Sequence, residues 1–435
     1  PIGAQKFVEE WKGVSRWNYP YPQVSSKKGL QVQMLEDAIE LGVKHAALNF
    51  NLAEIISLDP QPGDIPWEMD GRTFHFRRGA VEGNDRRIKT LSDRGMVVSL
   101  IILYYKHANP ELNRIMLHPN YDDAAPNRLT AFNTTNDEGL AWFKACMEFT
   151  ACRYSQPDAP HGRVVNYIIG NEVNSHWMWY NMGRVSMEDF AKDYARTMRV
   201  CDTAVRKYLS TGRVFISLEH HWGIRYASGD EMQTFAAKPF IDYFAMLNKT
   251  HGDFPWHVAF HPYPENLFNP RTWNDKSAEM SFDTPRITFK NLEVLPEYLK
   301  RKDLLYNGKP RRIILSEQGF HSRETEKGEL LQAAAYCYAY YKTDRIDGID
   351  SFILHRHVDH AAEGGLNLGL WRRSKAPNTY ATPESKKPIY EVFKKADTPE
   401  WREAFEFALP VIGIERWEDI APKRAREIRK LESRR

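Results

Sequence analysis

Along the chain, short β-branched and aromatic runs alternate with amphipathic stretches of helical spacing, the pattern of successive βα units around a parallel sheet. Seven runs read as strands: 43–50 (VKHAALNF), 96–105 (MVVSLIILYY), 163–170 (RVVNYIIG), 213–220 (RVFISLEH), 257–263 (HVAFHPY), 311–317 (RRIILSE) and 349–356 (IDSFILHR). Their near-continuous apolarity fits a sheet covered on both faces. The stretch 30–42 has helical spacing and leads into the first of these runs, so it needs a strand before it, for which 11–17 (WKGVSRW) is the candidate. Eight strands with intervening helices is the count of an α/β fold of the (β/α)8, or TIM-barrel, type. The competing architecture is a doubly wound open sheet, but no GxGxxG or GxxxxGK[ST] follows an early strand.

The connections differ greatly in length. The stretch 51–78 contains WEMDGRTFHF, a hairpin turning at Asp70-Gly71, and long Pro- and Asn-rich stretches occupy 106–136 and 265–288. Each follows a strand, which places it on the C-terminal face where barrel enzymes build their sites. The barrel is expected to span 1–395, followed by a helical extension over 396–435 whose end, KRAREIRKLESRR, reads as a solvated charged helix rather than a nucleic-acid arm.

Composition narrows the picture a little. The chain has 435 residues, 42% of them hydrophobic and 13% aromatic, which is globular. Sixty Lys and Arg against 57 Asp and Glu give a net charge of +3, too balanced to imply nucleic acid or an anionic membrane as an obligatory partner. No apolar run is long enough to span a bilayer. The chain opens at Pro1 without a Met, the pattern of a trimmed chain or of a mature form, and a secreted or bacterial periplasmic location is the expectation. Cys146, Cys152, Cys201 and Cys337 are scattered through helical segments without a CxxC pair, so they read as free thiols.

The candidate chemistry begins where the strand at 163–170 runs into Asn171, Glu172 and Asn174. An ionised Glu buried without partners costs several kcal/mol, roughly, so either Glu172 is a loop residue or the strand delivers it to a site. Side-chain alternation would place Asn166, Ile168 and Gly170 on the face of Glu172, and Ile313 and Leu315 on that of Glu317. Counting the weak first strand, the two acids close strands four and seven.

An Asn-Glu pair closing strand four, with a second Glu closing strand seven, resembles clan A of the retaining glycoside hydrolases, the 4/7 superfamily of (β/α)8 barrels. The resemblance implies that Glu172 is the acid/base, Glu317 the nucleophile and Asn171 the residue that binds the sugar 2-hydroxyl. HPYP resembles the clan's strand-six His-x-Tyr, which would put His261 beside the site and Tyr263 against the nucleophile. Two departures bear on the family and the sugar: strand two ends in Asn49 and Asn51 where many members have Arg, and strand eight ends in HRHVDH where many have Trp.

The chemistry is coherent on its own. Two carboxylates about 5 to 5.5 Å apart perform double displacement at an anomeric carbon, and neighbours such as Asn171, Tyr263 and Ser316 can split their pKa values. Rim aromatics offer sugar stacking: Trp67, Tyr104, Tyr105, Trp177, Trp179, Trp222, Trp256 and Trp371 fall near the predicted loops, and Trp177 and Trp222 are the candidates chosen. His355 and His357, with Asp359 and His360, invite a metal reading, but sugar hydrogen bonding or simple loop packing suits a His-x-His on the last strand better. Glu219 is a third possible carboxylate. If Arg77, Arg78, Arg356, Arg372 and Arg373 converge with these histidines, a uronic or sulfated sugar would follow. The expected protein is a retaining glycoside hydrolase that acts on a plant, algal or microbial poly- or oligosaccharide and needs no cofactor or metal. The alternatives are a metal-dependent barrel hydrolase and a non-catalytic carbohydrate-binding barrel.

Overall fold

The computed structural model describes residues 14–422 and Ile428. Eight parallel strands close into a barrel in chain order: Lys28–Gln31, His45–Asn51, Val97–Leu103, Asn166–Ile169, Arg213–Glu219, Trp256–His261, Ile313–Leu315 and Ile349–Leu354. They are strands one to eight below. The fold is thus the expected (β/α)8 barrel. Ile101, on strand three, pairs in register with Asn49 on one side and Ile168 on the other, and the closure joins Leu30 of strand one to Leu354 of strand eight.

The barrel interior is a packed layer of Ala47, Ile101, Ile168, Phe215, Ala259, Ile314 and Ile353, one from each strand but the first. Strand one contributes Gly29, and the reason is space. A Cβ there would sit 2.7 Å from Ile353 Cγ1 and 2.9 Å from the His45 carbonyl oxygen. Outward-facing positions such as Tyr167, Ile169, Val214 and Ile216 join the larger core beneath the helices. Two of those helices start on side-chain caps legible in sequence: Asn136 accepts from Gly139 N–H ahead of Asp137–Arg153, and Ser186 from Asp189 N–H ahead of Met187–Tyr208.

Strand one corrects the sequence reading. It lies at Lys28–Gln31, overlapping the first two residues of the stretch 30–42 assigned to a helix, and the helix itself covers only Leu35–Glu40. Within the described part of 11–17, Trp17 makes an isolated bridge to Leu209 instead. Tyr19, Tyr21 and Val24 then pack on Val97, Val165 and Leu209, while the Tyr21 hydroxyl donates to Asn166 Oδ1 at 3.1 Å. The segment closes the end of the barrel opposite the long loops.

The hairpin forms as expected, Ile65–Met69 against Arg72–Phe76, with Asp70 and Gly71 both at positive φ. Past strand eight, Trp371–Arg373 pairs with Pro383–Lys386, and the helix Pro388–Lys395 follows. Trp401 and Trp417, from the extension, gather around Tyr341 of the helix Glu326–Asp344, so this part of 396–435 packs onto the barrel wall. The tail at 423–435, Ile428 excepted, lies outside the described residues. All four cysteines are free thiols on helices. Among the described residues no helix is long and apolar enough to cross a membrane.

Candidate active site

The long loops surround a cavity of about 610 Å³ at the C-terminal mouth of the barrel, lined by Gln31, Asn49, Asn171, Glu172, Glu317 and His355 among others. Strand four does not deliver Glu172 by simple alternation. It ends at Ile169, and Gly170 then takes φ 77°, where a Cβ would lie 2.3 Å from the Tyr180 ring. Glu172 itself adopts a left-handed backbone, φ 40°, uncommon for a residue with a side chain. Two bonds hold this turn: Glu172 N–H donates to Ser217 Oγ at 3.0 Å, and the Glu172 carbonyl accepts from Ser175 N–H at 2.8 Å. The parity reading of strand seven is corrected as well. Ile314 faces the barrel interior, while Ile313 and Leu315 face the helices, and Glu317 reaches the mouth because the strand has ended at Leu315.

The two carboxylates meet across this mouth. One oxygen of Glu172, one of Glu317 and a ring nitrogen of His261 all lie within 4.8 Å of one another. His261 Nδ1 is 2.8 Å from Glu172 Oε1, and its Nε2 is 3.0 Å from Ser316 Oγ. The Tyr263 hydroxyl donates to Glu317 Oε1 at 3.2 Å, and Gln31 Nε2 donates to Glu317 Oε2 at 3.1 Å. Their environments pull the two acids apart. Burial pushes the Glu172 carboxyl above the ordinary carboxylate range, outweighing the opposing His261 ring. Burial would raise Glu317 too, but His355, His261 and the Gln31 hydrogen bond hold it below that range.

Glu219, the third carboxylate, is fully committed. Its Oε1 accepts from Asn174 Nδ2 at 2.6 Å and Ser175 Oγ at 3.0 Å, while Oε2 accepts from His221 N–H at 2.9 Å and faces His221 Nδ1 at 2.6 Å. Burial opposes ionisation here, yet the His221 hydrogen bond and the nearby rings hold the carboxyl down to about 2. It ties the loop that carries Glu172 to strand five. A carboxyl depressed on folding contributes stability above its unfolded value, and that contribution is lost as pH falls toward the folded one. Glu219→Leu should therefore cost about 3–5 kcal/mol near neutral pH, because the buried groups of Asn174, Ser175 and His221 lose their acceptor. Urea midpoints across the acid range check this: the gap between the two proteins should shrink as pH drops to about 2. A gap that stays constant with pH would rule the account out.

The mouth does not gather every residue the sequence nominated. Asn171, Tyr263 and His355 line it, and His261 sits directly behind Glu172. Trp177 instead donates to Asp122 Oδ2 at 2.8 Å, and Trp222 is buried edge-on against Tyr298 with its N–H on the Phe282 carbonyl. Neither lines the cavity; Trp179 and Tyr105 do. His357 is likewise structural. Its Nε2 lies 2.7 Å from Asp37 Oδ2, and its Nδ1 accepts from the N–H groups of Gln33 and Met34, which anchors the first helix. His355 and His357 therefore diverge, and Asp359 is paired with buried Lys387, so the last strand assembles no metal-binding group. The arginines do not converge either. Only Arg356 reaches the cavity, while Arg77 and Arg78 line a separate depression and Arg372 is paired with Glu329.

Sequence reasoning missed Gln31 and Glu363, both in the cavity lining. Placing strand one at 28–31 would have revealed Gln31 as a strand-end residue. Nothing in the sequence marks Glu363.

Comparison with solved structures shows the same fold at low identity. A family 39 glycoside hydrolase from the gut symbiont Bacteroides cellulosilyticus WH2 superposes with a TM-score of 0.52 at 14% identity, over 84% of this chain and 60% of that one. The chain thus spans less than two thirds of that enzyme. A hyperthermophilic β-glucosidase from Pyrococcus furiosus gives 0.52 at 14% identity, over 94% of this chain and 100% of that one. The family 1 β-glucosidase from Thermotoga maritima gives 0.51 at 12% identity, over 83% and 84%. No curated protein matches the sequence. The model of one family, described as a family of unknown function, DUF5722, matches residues 20–420, and the protein belongs to that family.

Proposed function

We propose that this protein is a retaining glycoside hydrolase acting on a β-linked, uncharged sugar. One observation carries the reading: Glu172 and Glu317, from the ends of strands four and seven, bring carboxylate oxygens within 4.8 Å of each other, and their surroundings favour opposite protonation states. Retaining pairs stand about 5 to 5.5 Å apart, whereas inverting pairs need roughly 6.5 to 9.5 Å to admit a water between them.

In this mechanism Glu317, ionised and held at both oxygens by Tyr263 and Gln31, attacks the anomeric carbon. Glu172 gives its proton to the departing glycosidic oxygen as that carbon–oxygen bond breaks. The glycosyl–Glu317 ester is then hydrolysed by a water that surrenders its proton to Glu172, which restores both groups. Asn171 lies beside the pair to bind a hydroxyl of the sugar, and Trp179 and Tyr105 offer apolar faces. The β-glucosidases among the fold neighbours support the β configuration.

The uncharged sugar follows from the lining. Glu172, Glu219, Glu317 and Glu363 surround the cavity, and its Arg356 is already paired with Glu363. A uronate would meet carboxylates without a free guanidinium to receive it. A panel of nitrophenyl glycosides, with the first-formed anomer followed by proton NMR, tests both statements. At least one neutral β-glycoside should turn over with retention, and the matching uronide should be slower by about 100-fold or more. Inversion would overturn the mechanism, and a faster uronide would overturn the sugar class.

A further inference from the structure

Behind Glu317 runs a chain of hydrogen bonds whose direction is fixed by groups that can act only one way. The Gln31 amide faces two acceptors, Glu317 Oε2 at 3.1 Å and the Ser316 carbonyl at 3.4 Å, so its nitrogen must point to them. Its oxygen is then left toward His355 Nδ1 at 2.6 Å. An amide oxygen only accepts, so Nδ1 carries a hydrogen. On the far side of the ring, Nε2 lies 3.2 Å from Glu363 Oε1, and the other oxygen of Glu363 accepts from Arg356. Glu363 is strongly acidic: burial opposes ionisation, but the His355 and Arg356 contacts hold it down to about 2. A carboxylate also only accepts, so Nε2 carries a hydrogen as well.

We propose that Gln31, His355 and Glu363 are positioning residues for the nucleophile, with Glu363 keeping both protons on the His355 ring and Gln31 transmitting that order to Glu317. The inference rests on the hydrolase reading for its catalytic consequence, but not for the state of the ring. Around that ring stand Glu317 from strand seven, Glu363, Arg356 and His360 from the loop after strand eight, and the uncharged Gln31 from strand one. The doubly protonated ring puts a positive charge near Glu317, which keeps the nucleophile ionised and attacking. The chain joins strand one, strand seven and the strand-eight loop, so the nucleophile is oriented by three separate parts of the barrel.

The test uses ring-nitrogen NMR on the full chain labelled at histidine, with the His355 signal identified from His355→Gln and His355→Asn. At about pH 7 the wild-type ring should show both nitrogens protonated; Glu363→Gln should lose one proton, and Glu363→Asp should keep both. A wild-type ring with one proton overturns the proposal whatever the activity. On a neutral aryl glycoside, Glu363→Gln should lower kcat about 10- to 100-fold. It should also move the acid limb of the pH profile up by about one unit, since Glu317 loses a nearby cation. Glu363→Asp should restore that limb. A Glu363→Gln profile lowered in height with its limbs unmoved would make Glu363 a substrate contact or a packing residue and overturn the proposal. If wild type cleaves no glycoside at all, the hydrolase reading fails, and the NMR result still decides the chain.

Discussion

Glu317→Ala should abolish turnover of natural and aryl glycosides alike, with a loss of roughly 10⁴-fold to 10⁶-fold in kcat. The deficit does not depend on the leaving group, because the missing step is bond formation at the anomeric carbon rather than departure of the aglycone. Tyr263 and Gln31 would lose their shared acceptor, yet a buried carboxylate goes with it, so the variant should remain folded. The vacated space lies on the face opposite the departing group. Azide placed there should attack an activated β-glycoside directly and yield a glycosyl azide of inverted configuration. Measuring kcat for an aryl and a natural glycoside, with the anomer of the azide product, checks the assignment. Residual turnover within tenfold of wild type, or an azide of retained configuration, would remove Glu317 from the nucleophile's role.

Glu172→Ala should behave differently on two kinds of substrate. A glycan with an alkoxide leaving group needs its proton and should slow by roughly 100-fold to 10,000-fold. A glycoside of an acidic phenol needs none, so the glycosyl-enzyme still forms and the second step becomes the slow one. Azide should accelerate that step and give a product of retained configuration, since it enters from the side the phenol left. The pH profile supplies a second reading. The proposed mechanism requires Glu317 ionised and Glu172 protonated, so the raised Glu172 carboxyl should set the alkaline limb of a bell. The variant should keep its acid limb and lose the alkaline one. Equal losses on both substrates, with the alkaline limb intact, would return Glu172 to a structural role.

Seven of the eight barrel strands were legible because each is a near-continuous apolar run, and such a run needs cover on both faces. Strand one was not, for reasons visible in its four residues. Lys28 is buried because Asp397 and the Lys394 carbonyl, far along the chain, pair with it, and Gly29 is there because Ile353 fills the space of a side chain. None of these partners can be found from a local pattern. The positions of Glu172 and Glu317 were readable from chain order, while the route that brings them together was not, since both lie beyond the last paired residue of their strands. Direction was harder still. Trp177 and Trp179 differ by two positions, yet one bonds Asp122 and the other lines the cavity. Chain position finds the rim; which ring turns inward is decided by loop packing.

The left-handed backbone at Glu172 sets the interests of the fold against those of the site. A residue with a side chain gives up about 1–2 kcal/mol in that conformation, and this one is also a carboxyl pushed toward neutrality by burial. Glycine would relieve both penalties at once. Judged by folding free energy alone, Glu172 is thus among the first positions a search for hardier sequences would rewrite. A protein improved by that criterion would denature later and have lost the acid of the proposed mechanism, so thermal tolerance is a misleading guide when variants of this chain are ranked.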